Sequence, residues 1–96
     1  MSYRVELAPA AERDIKKLPP QVRREVVEDH LPWIANDPRG QGSPLHGEFA
    51  KYWSSHFGRR PEYRIIYSIE EKVITVTVVL VGTRENVYKR LRRRVG

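Results

Sequence analysis

Two arginines, a tyrosine and a histidine in the second half of the chain have the types and spacing to act on a phosphodiester. Arg64 stands within Tyr63-Arg64-Ile65-Ile66-Tyr67, Arg84 closes Val81-Gly82-Thr83-Arg84, and Tyr88 and His56 lie on either side of this stretch. A guanidinium is a rigid planar fork that donates two parallel hydrogen bonds to phosphate and keeps its charge at any relevant pH. When a ribose hydroxyl attacks its own phosphate without a metal, a dianionic phosphorane must be stabilised and two protons moved. The arginines suit the first task. His56, a residue type that changes charge near neutrality, or Tyr88 suits the second, and Tyr88 can instead stack on a base.

These residues need a sheet to hold them. Tyr52 to Phe57, Tyr63 to Ile69 and Val73 to Val81 are rich in aromatic and β-branched residues and are separated by turn-length segments. They predict three antiparallel strands in a meander, ended by Gly82. Side chains alternate across a strand. Tyr63, Ile65, Tyr67 and Ile69 therefore share a core face, and Arg64 points to the other. With Trp53 and Phe57 in the core, Ser54, His56 and Arg64 fall together on an exposed face, and Arg84 and Tyr88 fold over one end of it. The competing reading of Arg64 is an ion pair with Glu62, and that of Tyr88 is packing beside Leu91 and Val95.

The first half reads as a strand and two helices. Residues 3 to 7 alternate with period two. A helix over roughly 9 to 18 carries Ala11, Ile15 and Leu18 on one side and stops at Pro19-Pro20. A second helix follows, with Val22, Val26, Val27, His30, Leu31, Trp33 and Ile34 as its apolar stripe and Pro32 kinking or fraying its last turn. His30 on that stripe reads as structural. Asn36 to Pro44 is dense in turn formers and reads as a loop. At the other end, Val87, Leu91 and Val95 recur every four residues, as on one face of a short C-terminal helix.

With 96 residues, 40% of them hydrophobic, the chain has the size of one domain, taken as 1–96, with a modest core. The net charge is +6, and residues 82–96 carry +5 of it, so the basic character is concentrated near one end and favours a polyanionic partner. The absence of cysteine excludes disulfides, thiolate nucleophiles and thiolate zinc sites. His30, His46 and His56 are spaced unlike a metal-ligand set, so neither metal nor other cofactor is expected. No apolar run approaches the ~20 residues of a membrane span, and the first residues alternate unlike a secretory signal, which predicts a cytoplasmic protein with no membrane partner.

The block Trp53…Tyr63-Arg64-Ile65-Ile66-Tyr67, then Val79-Leu80-Val81-Gly82-Thr83-Arg84, then Val87-Tyr88, resembles the RelE-type toxins of bacterial type II toxin–antitoxin systems. The strand-helix-helix start extends the resemblance along nearly the whole chain. It implies an α+β, microbial-ribonuclease-like fold: an N-terminal strand and two helices packed on an antiparallel sheet, with a short C-terminal helix. The activity it implies is ribosome-dependent cleavage of messenger RNA in the ribosomal A site. Carried over, Arg64, Arg84 and Tyr88 form the catalytic centre. Where some members have two lysines this chain has Ser54 and His56, which makes His56 a candidate replacement for a basic group. Lys51, Ser54, Arg59, Arg60 and Lys89 are assigned to substrate binding around it.

The same resemblance implies a partner, an antitoxin encoded next to the toxin and assembled with it as a hetero-oligomer. Its acidic residues are expected on Arg90, Arg92, Arg93 and Arg94, displacing the C-terminal helix. Within the superfamily, the ParE kind shares the fold, lacks the nuclease residues and poisons DNA gyrase, and the absent lysines fit that alternative. A small RNA-binding domain without catalysis is the third reading.

Overall fold

A computed structural model of the chain describes residues 2–95. Strand β1 (Arg4–Leu7) leads into α1 (Pro9–Lys17). Pro9 occupies the first turn, where its missing N–H costs nothing, and Leu18 leaves the helix in an extended conformation ahead of Pro19. Ala11, Asp14, Ile15 and Leu18 form the buried side. The second helical segment is α2 (Pro20–Glu25), a π-helical turn over Val26–His30, and α3 (Leu31–Asn36). The expected disturbance by Pro32 therefore lies upstream of the proline. Pro32 cannot donate to the carbonyl of Glu28 and its ring crowds that group, and the wider turn accommodates both. The apolar stripe is also narrower than predicted. Val26, Leu31 and Ile34 are buried, whereas Val27 and Trp33 are about half exposed, because adjacent residues lie about 100° apart and only one of each pair faces the sheet.

The loop after α3 contains a two-residue edge strand, β2 (Ser43–Pro44), and a 3-10 turn follows at Gly47–Phe49. The meander consists of β3 (Tyr52–Phe57), β4 (Tyr63–Glu70) and β5 (Thr75–Thr83), and α4 (Val87–Val95) ends the described chain. Gly82 lies inside β5 rather than after it. A Cβ there would run into the end of the Arg90 side chain, which lies against this position from α4.

The sheet order is β1-β5-β4-β3-β2. The meander pairs antiparallel as expected, but β1 runs parallel to β5, which makes the sheet mixed. Its register, Arg4 on Thr75 to Leu7 on Val78, ends there, so Val79 to Thr83 of β5 form an edge that β1 does not cover. On one face, Tyr63, Ile65, Tyr67, Val76, Val78 and Val81 pack against the helices of the first half. Trp53 and Phe57 pack at the margin of this core. On the other face, Ile66 and Leu80 meet Val87 and Leu91 of α4, with Phe49 and Tyr52 closing the side.

Candidate active site

The alternation along β3 and β4 puts the site on the α4 face. His56 and Arg64 are direct partners across the two strands and therefore project to the same side. Val87 and Leu91 dock α4 on Ile66 and Leu80, and Tyr88, next to Val87 on the helix, comes over Arg64. The Arg64 Nη1 donates to the Tyr88 hydroxyl at 3.0 Å. Its Nε and Nη2 both reach Glu62 Oε2 at 3.0 Å. Arg64 is thus ion-paired with Glu62, the competing reading of the sequence, and at the same time faces Tyr88. Phe49 stacks near the Tyr88 ring at a centroid distance of 6.5 Å.

Arg84 lies in the turn after β5, with its backbone N–H donating to the Glu62 carbonyl at 2.8 Å and its side chain exposed. Glu62 therefore holds both arginines, one by its carboxylate and the other by its backbone. Beside it a groove of about 310 Å³ is lined by Arg59, Arg60, Pro61, Glu62, Arg84 and Glu85. Three guanidiniums against two carboxylates leave this groove net basic, and it lies between the β3–β4 turn and the turn after β5. His56 is exposed at the end of β3.

The remaining sequence candidates scatter. Lys51 is exposed with its Nζ 5.3 Å from the centroid of the Tyr52 ring, and Lys89 is exposed on α4. Ser54 is a correction to the expected surface. It projects to the α4 face as predicted, but it is buried with its hydroxyl unpaired, because β2 and the α4 cluster cover that part of the sheet. The C-terminal arginines also differ from a uniform basic rim. Arg90 and Arg94 bind Asp14, and Arg92 binds Glu48 at 2.9 Å. Arg93 is exposed and lines, with Arg13, a groove of about 380 Å³.

Sequence reasoning missed two acidic residues. Glu62 was considered only as a rival explanation for Arg64, although a carboxylate two positions from a strand arginine shares its face. Asp14 carried a clearer signal: it sits within the Ala11, Ile15, Leu18 stripe, where a charge demands a partner. Among the described residues no group of three or more His, Asp or Glu side chains is placed to hold a metal, and no helix is long and apolar enough to cross a membrane.

A small mixed sheet packed between two helical layers in this way has known counterparts. Residues 5–92 match the ParE-like toxin of type II bacterial toxin–antitoxin systems, and the chain belongs to that family, as a toxin of the RelE/ParE superfamily. Toxin RelG of Mycobacterium tuberculosis is 36% identical to it over 90 residues, covering 94% of this chain and 100% of RelG. Toxin RelE of the same organism is 28% identical over 87 residues, covering 91% and 87% of the two chains. In the crystal structure of the toxin–antitoxin complex RelBE2 from M. tuberculosis, a chain of 33% identity superposes with a TM-score of 0.80, covering 88% of this chain and 100% of that one. A doubly substituted E. coli toxin RelE in the free state shares the fold across both whole chains, with a TM-score of 0.76 at 23% identity.

Proposed function

We propose that this toxin is a metal-independent, ribosome-dependent endoribonuclease that cuts messenger RNA in the ribosomal A site and so inhibits translation. The observation that carries this reading is the Arg64 guanidinium held between Glu62 and the Tyr88 hydroxyl, next to the Arg84 turn. In the reaction the 2′-oxygen bonds to phosphorus while the bond to the 5′-oxygen breaks, leaving a 2′,3′-cyclic phosphate and a 5′-hydroxyl. Arg64 and Arg84 hold the charge that builds on the non-bridging oxygens. The proton of the 2′-hydroxyl goes to a base and the 5′-oxygen receives one, with His56 and Tyr88 as the exchanging groups. Arg59 and Arg60, with Lys51 and Lys89, track the flanking phosphates. The reading places the protein in the cytoplasm, where messages are translated.

The partner in this proposal is an antitoxin whose acidic residues engage the α4 arginines. Arg93, exposed, and Arg92, in a surface pair worth about 0.5 kcal/mol, are available to such a partner at little cost. Arg90 and Arg94 must first leave Asp14.

The test maps transcript 5′ ends within minutes of induction, for wild type and Arg84→Ala. New 5′-hydroxyl ends inside translated codons are expected, reduced by about 10²-fold or more in the variant, as for loss of one charge-stabilising donor. Growth arrest without such ends, together with blocked supercoiling by purified gyrase, would overturn the proposal in favour of the ParE-like reading.

A further inference from the structure

The uncovered edge of β5 is closed from both faces of the sheet by one carboxylate. Asp14 projects from α1, is 7% exposed, and receives the Val81 N–H on Oδ2 at 3.0 Å. From the opposite face, α4 sends Arg90 Nη2 to Oδ1 at 2.8 Å. Arg94 adds Nη1 to Oδ2 at 2.6 Å and Nη2 to Oδ1 at 3.2 Å, and its Nη1 also donates to the Val79 carbonyl at 2.9 Å. Asp14 and Arg94 together thus satisfy backbone groups that β1 leaves unpaired by ending at Leu7. The two arginines are four residues apart and so lie on one flank of α4. Arg92 and Tyr88, also four apart, lie on another, against Glu48 and Arg64. The helix buries only Val87 and Leu91, a contact too small to fix its rotation and height alone.

We infer that Asp14 is a positioning residue: by gripping Arg90 and Arg94 at the β5 edge it sets the seat of α4, and thereby holds the Tyr88 hydroxyl on Arg64. Asp14 does not touch the reacting groups, and its influence passes along the helix. The inference deepens the ribonuclease reading and rests on it where cleavage is measured.

The variants are Asp14→Asn, which keeps an acceptor for the Val81 N–H and loses the charge, and Arg94→Gln, which leaves α1 and the sheet intact. In the purified toxin both are expected to move the Tyr88 ring resonances towards those of a solvated tyrosine and to speed exchange of the Leu91 amide. The Ile65 and Tyr67 amides should keep their protection, and Asp14→Glu should restore most of the signal. On programmed ribosomes, Asp14→Asn is expected to lower kcat about tenfold with KM unchanged, part of the ~10²-fold contribution of a proton-transfer group. Added to Tyr88→Phe it should lower the rate no further, because both act on one hydroxyl. Unmoved Tyr88 resonances in both variants, or a loss in kcat that adds to that of Tyr88→Phe, would overturn the role of Asp14. If the wild type cuts no message, the ribonuclease reading falls, and the resonances still decide whether Asp14 seats Tyr88.

Discussion

The two faces of the sheet are built on different physics. The face towards α1, α2 and α3 is a continuous apolar layer in which Ile65, Tyr67, Val76 and Val78 are fully buried. The α4 face has a small apolar centre, and much of what holds the helix is charge: Asp14 on one flank, Glu48 and Arg64 with its hydrogen bond to Tyr88 on the other. Apolar burial is non-directional and hard to undo locally, whereas a few ionic contacts can be exchanged for those of a partner. The difference teaches that the chain keeps its scaffold on one side and its adjustable, reactive part on the other.

Cavity-forming substitutions should separate the two faces most sharply. Ile65→Ala is expected to lower global stability by about 4 kcal/mol in urea unfolding, as for a fully buried side chain in a packed core. Leu91→Ala removes as large a side chain, but its cost of about 3 kcal/mol should fall on α4 alone, with hydrogen exchange quickening over residues 87–95 while the Ile65 amide stays protected. If both substitutions melt the whole molecule equally, the division into scaffold and adjustable face is wrong.

Salt should loosen the seat of α4 more than the apolar layer on the other face. Raising sodium chloride from about 0.05 to 0.5 M is expected to weaken α4 by about 0.5 kcal/mol, seen as a two- to threefold rise in exchange at Leu91, because the Arg92–Glu48 pair is exposed and screened. The buried layer offers no such handle.

The scaffold's own pH response belongs at the alkaline end and sharpens the contrast. Tyr67 is fully buried and donates to the Pro38 carbonyl at 2.7 Å; burial, with the nearby negative charge of Asp37, pushes its phenol up to about 12. The folded state then keeps a proton that the unfolded state loses from about pH 10, so this contribution is intact below pH 10 and is lost as pH rises towards 12. Unfolding midpoints measured from pH 9 to 11.5 should fall more steeply for wild type than for Tyr67→Phe.

Much of the architecture is legible in local pattern. The prolines at 9, 19 and 20 bound α1, the period of two puts Tyr63, Ile65 and Tyr67 on one face and Arg64 on the other, and β3 is found at Tyr52–Phe57 as read. The Arg64–Tyr88 approach is half legible: strand phase gives the face, but only the docking of α4 gives the contact. What local pattern could not show are the π turn ahead of Pro32, the burial of Ser54 and the parallel pairing of β1. Each depends on what another part of the chain lays against the segment.

By itself, then, the order of residues determined the elements, their inward faces, the concentration of charge near one end and the family to which the chain belongs, because these follow from neighbours a few positions apart and from short motifs. Tertiary structure alone decided that β1 stops at Leu7 and leaves the β5 edge open, that Asp14 closes this edge, and that Arg94, eighty residues further on, meets it there. An ion pair over that separation leaves no periodic trace in sequence; it exists only once the sheet has brought α1 and α4 to the two sides of one strand.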